Sequence, residues 1–331
     1  MIARTLGAGG PAVSALGLGC MAMSGVYGAS DDAESVATIH AALDAGVTLL
    51  DTGDFYGMGH NELLIRDALR GRRREDVVIS VKFGGLRGPD NRWGGFDGRP
   101  AAVWNFLAYT LTRLGTDYVD VYRPARVDPD VPIEETVGAI ADAIDQGYVR
   151  MLGLSEVGAE TIRRAHAVHP VADLQIEYSL MSRGIENAIL PACRELGIAV
   201  TAYGVLSRGL LSGHWSPDRA LSPGDFRAHA PRFAPGNVDL NLGLVDALRD
   251  VAEAQGATVA QAAIAWVLSR GDDVIPLVGA RRREQLAEAL GAVDLELTPE
   301  DLVAMEDAVP PGAAAGTRYP GQGMASLDSE R

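Results

Sequence analysis

Asp51, Tyr56 and Lys82 are the residues of this chain whose types and spacing best suit proton transfer. Asp51 ends the apolar run GVTLLD, Lys82 ends VVISVK, and Tyr56 follows closely after Asp51 in DTGDFYG. A phenol keeps its proton until about pH 10, but a nearby ammonium group stabilises the phenolate and brings the pKa of the tyrosine closer to neutral. Asp51 would keep the lysine charged and in place. The alternative is a structural ion pair beside a tyrosine that only packs its ring.

Rigid elements must bring these residues together, and the chain offers eight short apolar runs that alternate with amphipathic stretches. Most of the runs are uniformly apolar, which is typical of parallel strands covered on both faces. Eight strands, each followed by a helix, predict an α/β fold, a single (β/α)8 TIM barrel. The predicted strands are residues 15–19, 48–51, 77–82, 118–122, 149–154, 174–177, 199–203 and 274–277.

The barrel prediction treats residues 1–331 as one domain, in which residues 1–14 cap the barrel and residues 309–331 form a tail. A typical barrel has about 250 residues. The surplus here lies in long loops at 83–99 and 211–238 and in the tail, which we expect to shape the mouth at the C-terminal face. An open doubly wound sheet is the alternative, but no G-x-G-x-x-G motif follows an early strand.

Local signals indicate where several helices begin. Ser30 is expected to cap a helix that ends before Gly46, and Pro100 to open another that stops at Gly115. Further helices are expected to begin near Pro132, Gly158 and residues 183–186.

In a barrel, functional groups lie where strands end and loops begin. Besides Asp51 and Lys82, those positions hold Cys20, Met21, Ser155, Glu156, Gln175, Tyr178, Tyr203 and the stretches 123–126 and 279–281. Arg123 alternates with Ala125, so on a regular strand it faces the barrel interior. There it could pair with a carboxylate or help to polarise a substrate, whereas a bulge at Pro124 would turn it outward.

Composition excludes several classes of protein. The 29 Lys and Arg residues against 44 Asp and Glu residues give a net charge of −15, which argues against a nucleic-acid partner. Two Cys residues cannot build a disulfide scaffold or a Cys-based zinc site. Because we find neither a membrane span nor a signal peptide, we expect a cytoplasmic protein. An anionic ligand would need a local basic patch on this acidic chain.

The segment GVTLLDTGDFYGMGHNE, followed by VVISVKFG, resembles the aldo-keto reductase superfamily. The resemblance continues through GLSE at 153–156, QIEY at 175–178, TAYGVLSRGLLSG at 201–213 and GARRREQLAE at 279–288. It covers nearly the whole chain. It implies the barrel and an NADP(H)-dependent enzyme that reduces a small-molecule aldehyde or ketone by hydride transfer.

By this resemblance Tyr56 is the proton donor, Lys82 the residue that lowers its pKa and Asp51 the partner of the lysine. Tyr203 matches the ring that stacks on the nicotinamide, and residues 206–211 match the loop over the pyrophosphate. The full set of matching cofactor positions is Gly19, Cys20, Met21, Ser155, Glu156, Gln175, Tyr203, Leu206, Ser207, Gly209, Leu211, Gly279, Arg281, Gln285 and Glu288.

The adenosine end of this implied site explains how an acidic chain could bind a polyanion. Arg281 matches the position that meets a 2′-phosphate, and Arg282 and Arg283 follow it near a helix start. Such a cluster suits a phosphate monoester and favours NADP(H) over NAD(H). We expect one of Arg282 and Arg283 to be only solvated. Ala289 departs from a frequent Asn of the family, which puts one adenine contact in doubt.

Position 125 is the most important departure from the family pattern. Most active members have a His there, whereas this chain has Ala125, and none of its six His residues lies nearby in the sequence. The loss of one donor to the substrate oxygen could cost about two to three orders of magnitude in rate. The small Ala125 could instead admit a bulkier substrate, or the chain could bind cofactor without turnover.

The segment around Ala125, together with EYSLMSRGIE at 177–186, resembles the pyridoxal reductase branch, whose members also have Ala at this position. Pyridoxal carries a ring phenolate beside its aldehyde and could supply the missing polarity itself. A pyridoxal-like aldehyde is therefore a leading candidate substrate. The alternatives are a ketoreductase of a sugar or natural product and a cofactor-binding regulatory subunit. The oligomeric state stays open.

Overall fold

Eight parallel strands close into a barrel in the computed structural model, which describes residues 1–90, 92–216, 218–222 and 224–331. The predicted (β/α)8 barrel is confirmed. The strands are β1 (Gly17–Gly19), β2 (Leu49–Gly53), β3 (Val78–Phe83), β4 (Val119–Pro124), β5 (Val149–Ser155), β6 (Val171–Glu177), β7 (Ala199–Tyr203) and β8 (Val274–Gly279). Each strand pairs with the next in sequence, and β8 pairs with β1 to close the ring.

Helices surround the barrel and cover the outer face of the strands. They are α1 (Asp32–Asp44), α2 (His60–Ala68), α3 (Pro100–Leu114), α4 (Ile133–Asp145), α5 (Ala159–Val168), α6 (Ile189–Leu196), α7 (Asn237–Ala254), α8 (Val259–Leu268), α9 (Arg283–Leu290), α10 (Pro299–Ala308) and α11 (Gly321–Ala325). Buried apolar residues of strands and helices form one large cluster between the two layers. This arrangement explains why the strands are apolar on both faces.

The helix signals in the sequence are largely confirmed, with three corrections. Asp31, not Ser30, caps α1 by accepting the Glu34 amide, because the Ser30 hydroxyl donates to the carbonyl of Met23 instead. Helix α6 begins at Ile189, since residues 184–186 form only a short 3-10 turn. Helix α2 was not predicted. Its first turn follows a left-handed glycine at position 59, which gives no side-chain capping signal.

A hairpin of Ala3–Thr5 and Ala12–Ser14 precedes the barrel. Val13 of its second strand and Leu6, which follows its first strand, are buried in a second apolar cluster. The interior residues of that cluster come from the barrel strands and are Leu49, Val78, Val121, Ala199, Ile275 and Leu277. The hairpin therefore packs against an apolar layer inside the barrel, and the polar side chains lie beyond it, toward the ends of the strands.

The long connections hold little regular structure. Strands Gly85–Arg87 and Trp93–Phe96 form a second hairpin after β3. The tail returns to the barrel, where Arg318 is buried against residues that follow β5 and end β6. Within the described residues, no helix is long and apolar enough to cross a membrane.

Candidate active site

Asp51 and Lys82 form a buried ion pair at the carboxyl ends of β2 and β3. The Lys82 Nζ atom lies 2.6 Å from Asp51 Oδ2, and both side chains are almost inaccessible to solvent. The other oxygen of Asp51 accepts hydrogen bonds from Ser80 Oγ at 3.1 Å and Gln175 Nε2 at 2.6 Å. Burial lowers the pKa of Lys82, but the Asp51 carboxylate opposes this effect. The carboxylate is therefore held by three donors, which fixes the ammonium beside it.

Tyr56 follows β2 on a short 3-10 turn, and its ring lies beside the lysine. Lys82 Nζ is 5.2 Å from the ring centroid. The phenol hydroxyl has no hydrogen-bond partner within the described part of the chain, although Asp51, Lys82 and Gln175 nearby are all bonded. Burial and then the negative charge of Asp51 raise the pKa of Tyr56 well above its usual value. This direction is opposite to the one expected from the sequence, and it keeps the phenol protonated at neutral pH.

Arg123 faces the barrel interior, so the alternative of a bulge that turns it outward is wrong. The side chain is fully buried and donates to Ser80 Oγ at 2.6 Å and Asp173 at 3.0 Å. Gly153 leaves the necessary space, since a Cβ atom there would lie 2.6 Å from an Asp173 oxygen. The carboxylate partner considered from the sequence is thus present, and it is Asp173.

Ala125 lies directly after β4 and is 1% exposed. The next residue, Arg126, extends its guanidinium over the same mouth. Its Nη1 donates to the Ala125 carbonyl at 2.6 Å and contacts Ser155 Oγ at 3.4 Å, and its Nη2 donates to the Tyr319 hydroxyl at 3.3 Å. Ala125, which stands where most active members of the resembled family have a His, therefore lies beside the Arg126 guanidinium.

Glu156, which matches a nicotinamide position by the resemblance, is buried and doubly paired. It accepts hydrogen bonds from both terminal nitrogens of Arg318, at 2.9 and 2.8 Å, and from the Tyr203 hydroxyl at 2.6 Å. Burial raises the pKa of Glu156, but the Arg318 guanidinium outweighs this effect and lowers that pKa to about 2. Its backbone has a positive φ of 54°, a strained conformation that non-glycine residues adopt mainly at functional sites.

Sequence reasoning expected the tail to shape the mouth but missed which of its residues join this cluster. Arg318 bridges Glu156 and Glu177, and the Tyr319 hydroxyl lies 2.8 Å from that of Tyr203. The only available signal was the aromatic and charged pair Arg318–Tyr319 within an otherwise Gly- and Pro-rich tail. Nothing in local sequence spacing links this pair to β5 or β6, because the contacts span more than 100 residues.

The loop that matches the pyrophosphate position has an unusual backbone. Ser207, Arg208 and Gly209 all have positive φ, at 45°, 56° and 102°. Two consecutive non-glycine residues in this region indicate stored strain, as is common at ligand-binding loops. Leu211 is fully buried, whereas Leu206 is partly exposed.

Gly19 and Gly279 are paired at the ends of β1 and β8. A Cβ atom built on either would meet only distant backbone atoms, at 3.7 Å or more, so both glycines border open space. Cys20 is fully buried and its amide donates to the Asp51 carbonyl at 2.9 Å. Met21 is partly exposed at the start of a 3-10 turn. Burial raises the pKa of Cys20, which makes it an inert thiol.

The three arginines after β8 have different surroundings, and Arg282 is the solvated one of the pair Arg282 and Arg283. Arg281 Nη1 donates to the backbone carbonyls of Tyr27 and Ala29, and its amide donates to the Gln285 side chain. Arg283 pairs with Glu34. Arg282 is exposed, and its side chain makes no hydrogen bond or ion pair with the described residues. Glu288, another predicted cofactor residue, pairs with His214.

Comparisons with known proteins agree with this geometry. The model of the Aldo/keto reductase family matches residues 15–310. A relative from Glycine max, named "Probable aldo-keto reductase 1", is 41% identical over 317 residues, which are 95% of this chain and 90% of that protein.

Solved structures are similar over almost the whole chain. The glycerol dehydrogenase from Gluconobacter oxydans has a TM-score of 0.83 and 31% identity, covering 92% of this chain and 94% of that one. An aldo/keto reductase from Klebsiella pneumoniae, solved in complex with NADP and acetate, has a TM-score of 0.75 and 28% identity, covering 96% of this chain and 98% of that one.

Proposed function

The chain belongs to the aldo/keto reductase family, and from that premise we propose that it is an NADPH-dependent reductase in which Tyr56 protonates the carbonyl oxygen of an aldehyde or ketone. One observation carries the assignment of roles. The Tyr56 hydroxyl makes no hydrogen bond to a described residue, and the Tyr56 ring lies beside Lys82, whose Nζ atom is bonded to Asp51. The phenol is thus a proton donor beside this ion pair that has no partner among the described residues and can serve a substrate oxygen.

The residues around the mouth fit a nicotinamide dinucleotide. The open space beside Gly19 and Gly279, which a side chain would fill, suits a flat ligand. The side-chain oxygen Oε1 of Gln175 makes no hydrogen bond to any described residue and could accept one from a carboxamide, while the Ser155 hydroxyl could donate one. Arg281, before the N-terminus of α9, suits a 2′-phosphate. NADPH, when bound, supplies the hydride.

The chain's own residues then handle the proton. Tyr56 donates its proton to the carbonyl oxygen as negative charge develops there. Lys82 stabilises the resulting phenolate, and Asp51 holds Lys82 in position through a 2.6 Å contact. Because the pKa of Tyr56 is raised, the donor form is fully populated at neutral pH.

The substrate is a finer proposal. A pyridoxal-like aldehyde is our leading candidate, because its phenolate could meet the polar groups beside Ala125. A ketoreductase of a sugar or natural product is the alternative within the enzyme class, and residues 211–238 would then close over a larger ligand. A regulatory subunit that binds cofactor without turnover is the alternative outside it.

A substrate panel with NADPH tests the proposal. We expect carbonyl-dependent loss of NADPH absorbance with at least one of pyridoxal, simple aldehydes and ketones. Tyr56→Phe should reduce this rate by about two to four orders of magnitude, since general acid catalysis contributes about that much. Activity that survives Tyr56→Phe would contradict the assigned acid. Unchanged NADPH binding with no turnover of any carbonyl would favour the regulatory subunit.

A further inference from the structure

Arg126 is the one arginine at the mouth that has no carboxylate within 4 Å among the described residues. Arg208 and Arg232 both pair with Glu177, and Arg318 pairs with Glu156, Glu177 and Glu330. The three carboxylates therefore balance the other three guanidinium groups. Arg126 is left without a carboxylate in direct contact, because the nearby charge of Glu156 is already paired with Arg318.

The contacts of Arg126 leave part of its donor set open. It uses Nη1 for the Ala125 carbonyl and Ser155, and one bond of Nη2 for the Tyr319 hydroxyl. A guanidinium has five N–H donors, so two remain, one of them on Nε. The side chain is partly exposed, and Nε is not sealed from solvent. These neutral contacts orient the group without neutralising it.

The position of Arg126 relates it to the reacting groups. It directly follows Ala125, where the family has a His, and its positive charge acts on both the Tyr56 phenol and the Lys82 ammonium. The Lys82 charge is already met by Asp51 and the Arg123 charge by Asp173. Among the described residues, Arg126 is therefore the one cation beside Tyr56 and Lys82 that a ligand could pair with without breaking an existing ion pair.

We propose that Arg126 binds an ionised oxygen that lies next to the carbonyl group of the substrate, so that the site favours carbonyl compounds with an adjacent carboxylate or acidic hydroxyl. The inference rests on the proposed reductase function and adds a specificity-determining residue to it. Paired charges form short, strong hydrogen bonds where solvent is limited. An ionised neighbour would hold the carbonyl close to Tyr56 in an orientation that the missing His side chain cannot provide.

Positional isomers test this proposal in the unmodified enzyme. 2-Carboxybenzaldehyde and 4-carboxybenzaldehyde carry the same charge, but only the first places it beside the carbonyl. We expect kcat/KM with NADPH to be at least about tenfold higher for the 2-isomer than for the 4-isomer or benzaldehyde, as one charged hydrogen bond would provide. Equal values, or a preference for the 4-isomer, would overturn the proposal. If no aldehyde consumes NADPH, the proposed function fails instead.

Variants then assign the preference to the guanidinium. Arg126→Met should lower kcat/KM for the 2-isomer about 10- to 100-fold and leave benzaldehyde within a fewfold, and Arg126→Lys should retain part of the preference. Arg163→Met is the matched control, because Arg163 lies on the exposed face of α5 and pairs with Glu195. A loss of the same size for both aldehydes would contradict the proposed role.

A binding measurement separates specificity from structure. Salicylate, which carries an ionised oxygen but no reducible carbonyl, should bind the NADP-loaded protein about tenfold more weakly after Arg126→Met, measured by calorimetry. Tyr319→Phe removes the acceptor that Arg126 uses in the tail and tests whether the arginine merely anchors that tail. If Arg126→Met and Tyr319→Phe cause the same thermal destabilisation and neither changes the isomer preference or salicylate binding, Arg126 is structural and the proposal is wrong.

Discussion

Arg123 and Arg126 stand near the end of one strand and have opposite surroundings. Arg123 is completely buried and donates to Asp173, Ser80 and Thr201 inside the barrel. Arg126 lies at the mouth, where among the described residues it donates only to a backbone carbonyl and hydroxyl groups and lies 5.8 Å from the centroid of the Tyr319 ring. The difference shows that residue type does not determine role. A cation with its charge matched inside the protein serves structure, whereas one held by neutral groups remains able to bind a ligand.

The two arginines also differ in what burial costs. Desolvation raises the pKa of Asp173 even though Arg123 lies against it, so water loss outweighs the attraction of its partner. Such a pair adds little net stability, but removal of one member leaves an unmatched buried charge. At the mouth, by contrast, Arg126 keeps contact with solvent until a ligand arrives. The following predictions test this division, from the largest expected effect to the smallest.

Arg123→Met should destabilise the protein by about 3 to 5 kcal/mol, because it leaves Asp173 as an unpaired buried carboxylate. Urea unfolding followed by circular dichroism measures this change. The double variant Arg123→Met/Asp173→Leu is the matched control, and it should recover most of the lost stability since no charge is left behind. If Arg123→Met is as stable as the original protein and turns over normally, Arg123 contributes neither to the fold nor to the reaction.

Asp54→Asn should change how stability depends on pH. Asp54 lies beside the active-site turn, and burial, then the charge of Glu62, raise its pKa from 3.8 to about 7. The folded protein therefore holds a proton that the unfolded chain releases near pH 4, so stability should fall as pH rises from about 4 to 7. Asn does not titrate. The stability of the variant relative to the original protein should increase by a few kcal/mol over that range.

Urea unfolding at pH 5 and pH 8 measures the effect of Asp54→Asn. Asp246→Asn, on the exposed surface of α7, is the control and should leave the pH profile unchanged. An identical pH profile for Asp54→Asn and the original protein would show that Asp54 ionises normally despite its burial.

The sequence predicted the barrel and the residues at its strand ends because both follow from local pattern. The apolar runs of β2 and β3 end at or beside Asp51 and Lys82, and adjacent parallel strands bring their carboxyl ends together. The direction of Arg123 could not be chosen from the sequence, because a proline after it permits either a bulge or a regular strand. The observed side chain points into the barrel, where it pairs with Asp173 from β6.

The parts that sequence reasoning missed depend on contacts between distant segments. Arg318 reaches Glu156 from 162 positions away, and no local pattern encodes that contact. The raised pKa of Tyr56 was missed for a similar reason. The direction of the pKa shift depends on whether burial and the charge of Asp51 outweigh the nearby cations. That balance depends on the folded arrangement of the site and cannot be read from local sequence.

Arg281→Ala extends the comparison to a third arginine, which like Arg126 donates only to neutral groups among the described residues. Arg281 donates to the carbonyls of Tyr27 and Ala29 and has no carboxylate partner among the described residues. If it meets a 2′-phosphate, the variant should raise KM for NADPH about 10- to 100-fold and leave KM for NADH nearly unchanged. Arg283→Ala, which removes an arginine already paired with Glu34, is the control. A parallel loss with both cofactors would contradict the assignment.

Ala125→His asks whether the mouth can be converted from a charge-selective site to one with an additional neutral donor. Ala125 is 1% exposed and adjoins Ser155 and Arg126. An imidazole there could donate to the carbonyl oxygen, so kcat/KM for benzaldehyde should rise about tenfold, less than a preorganised donor provides. The advantage of 2-carboxybenzaldehyde should shrink, because the carbonyl no longer depends on Arg126 for its orientation. Steady-state kinetics with both aldehydes decide this, and a variant that slows both would show that the small side chain at 125 serves to make room for the substrate.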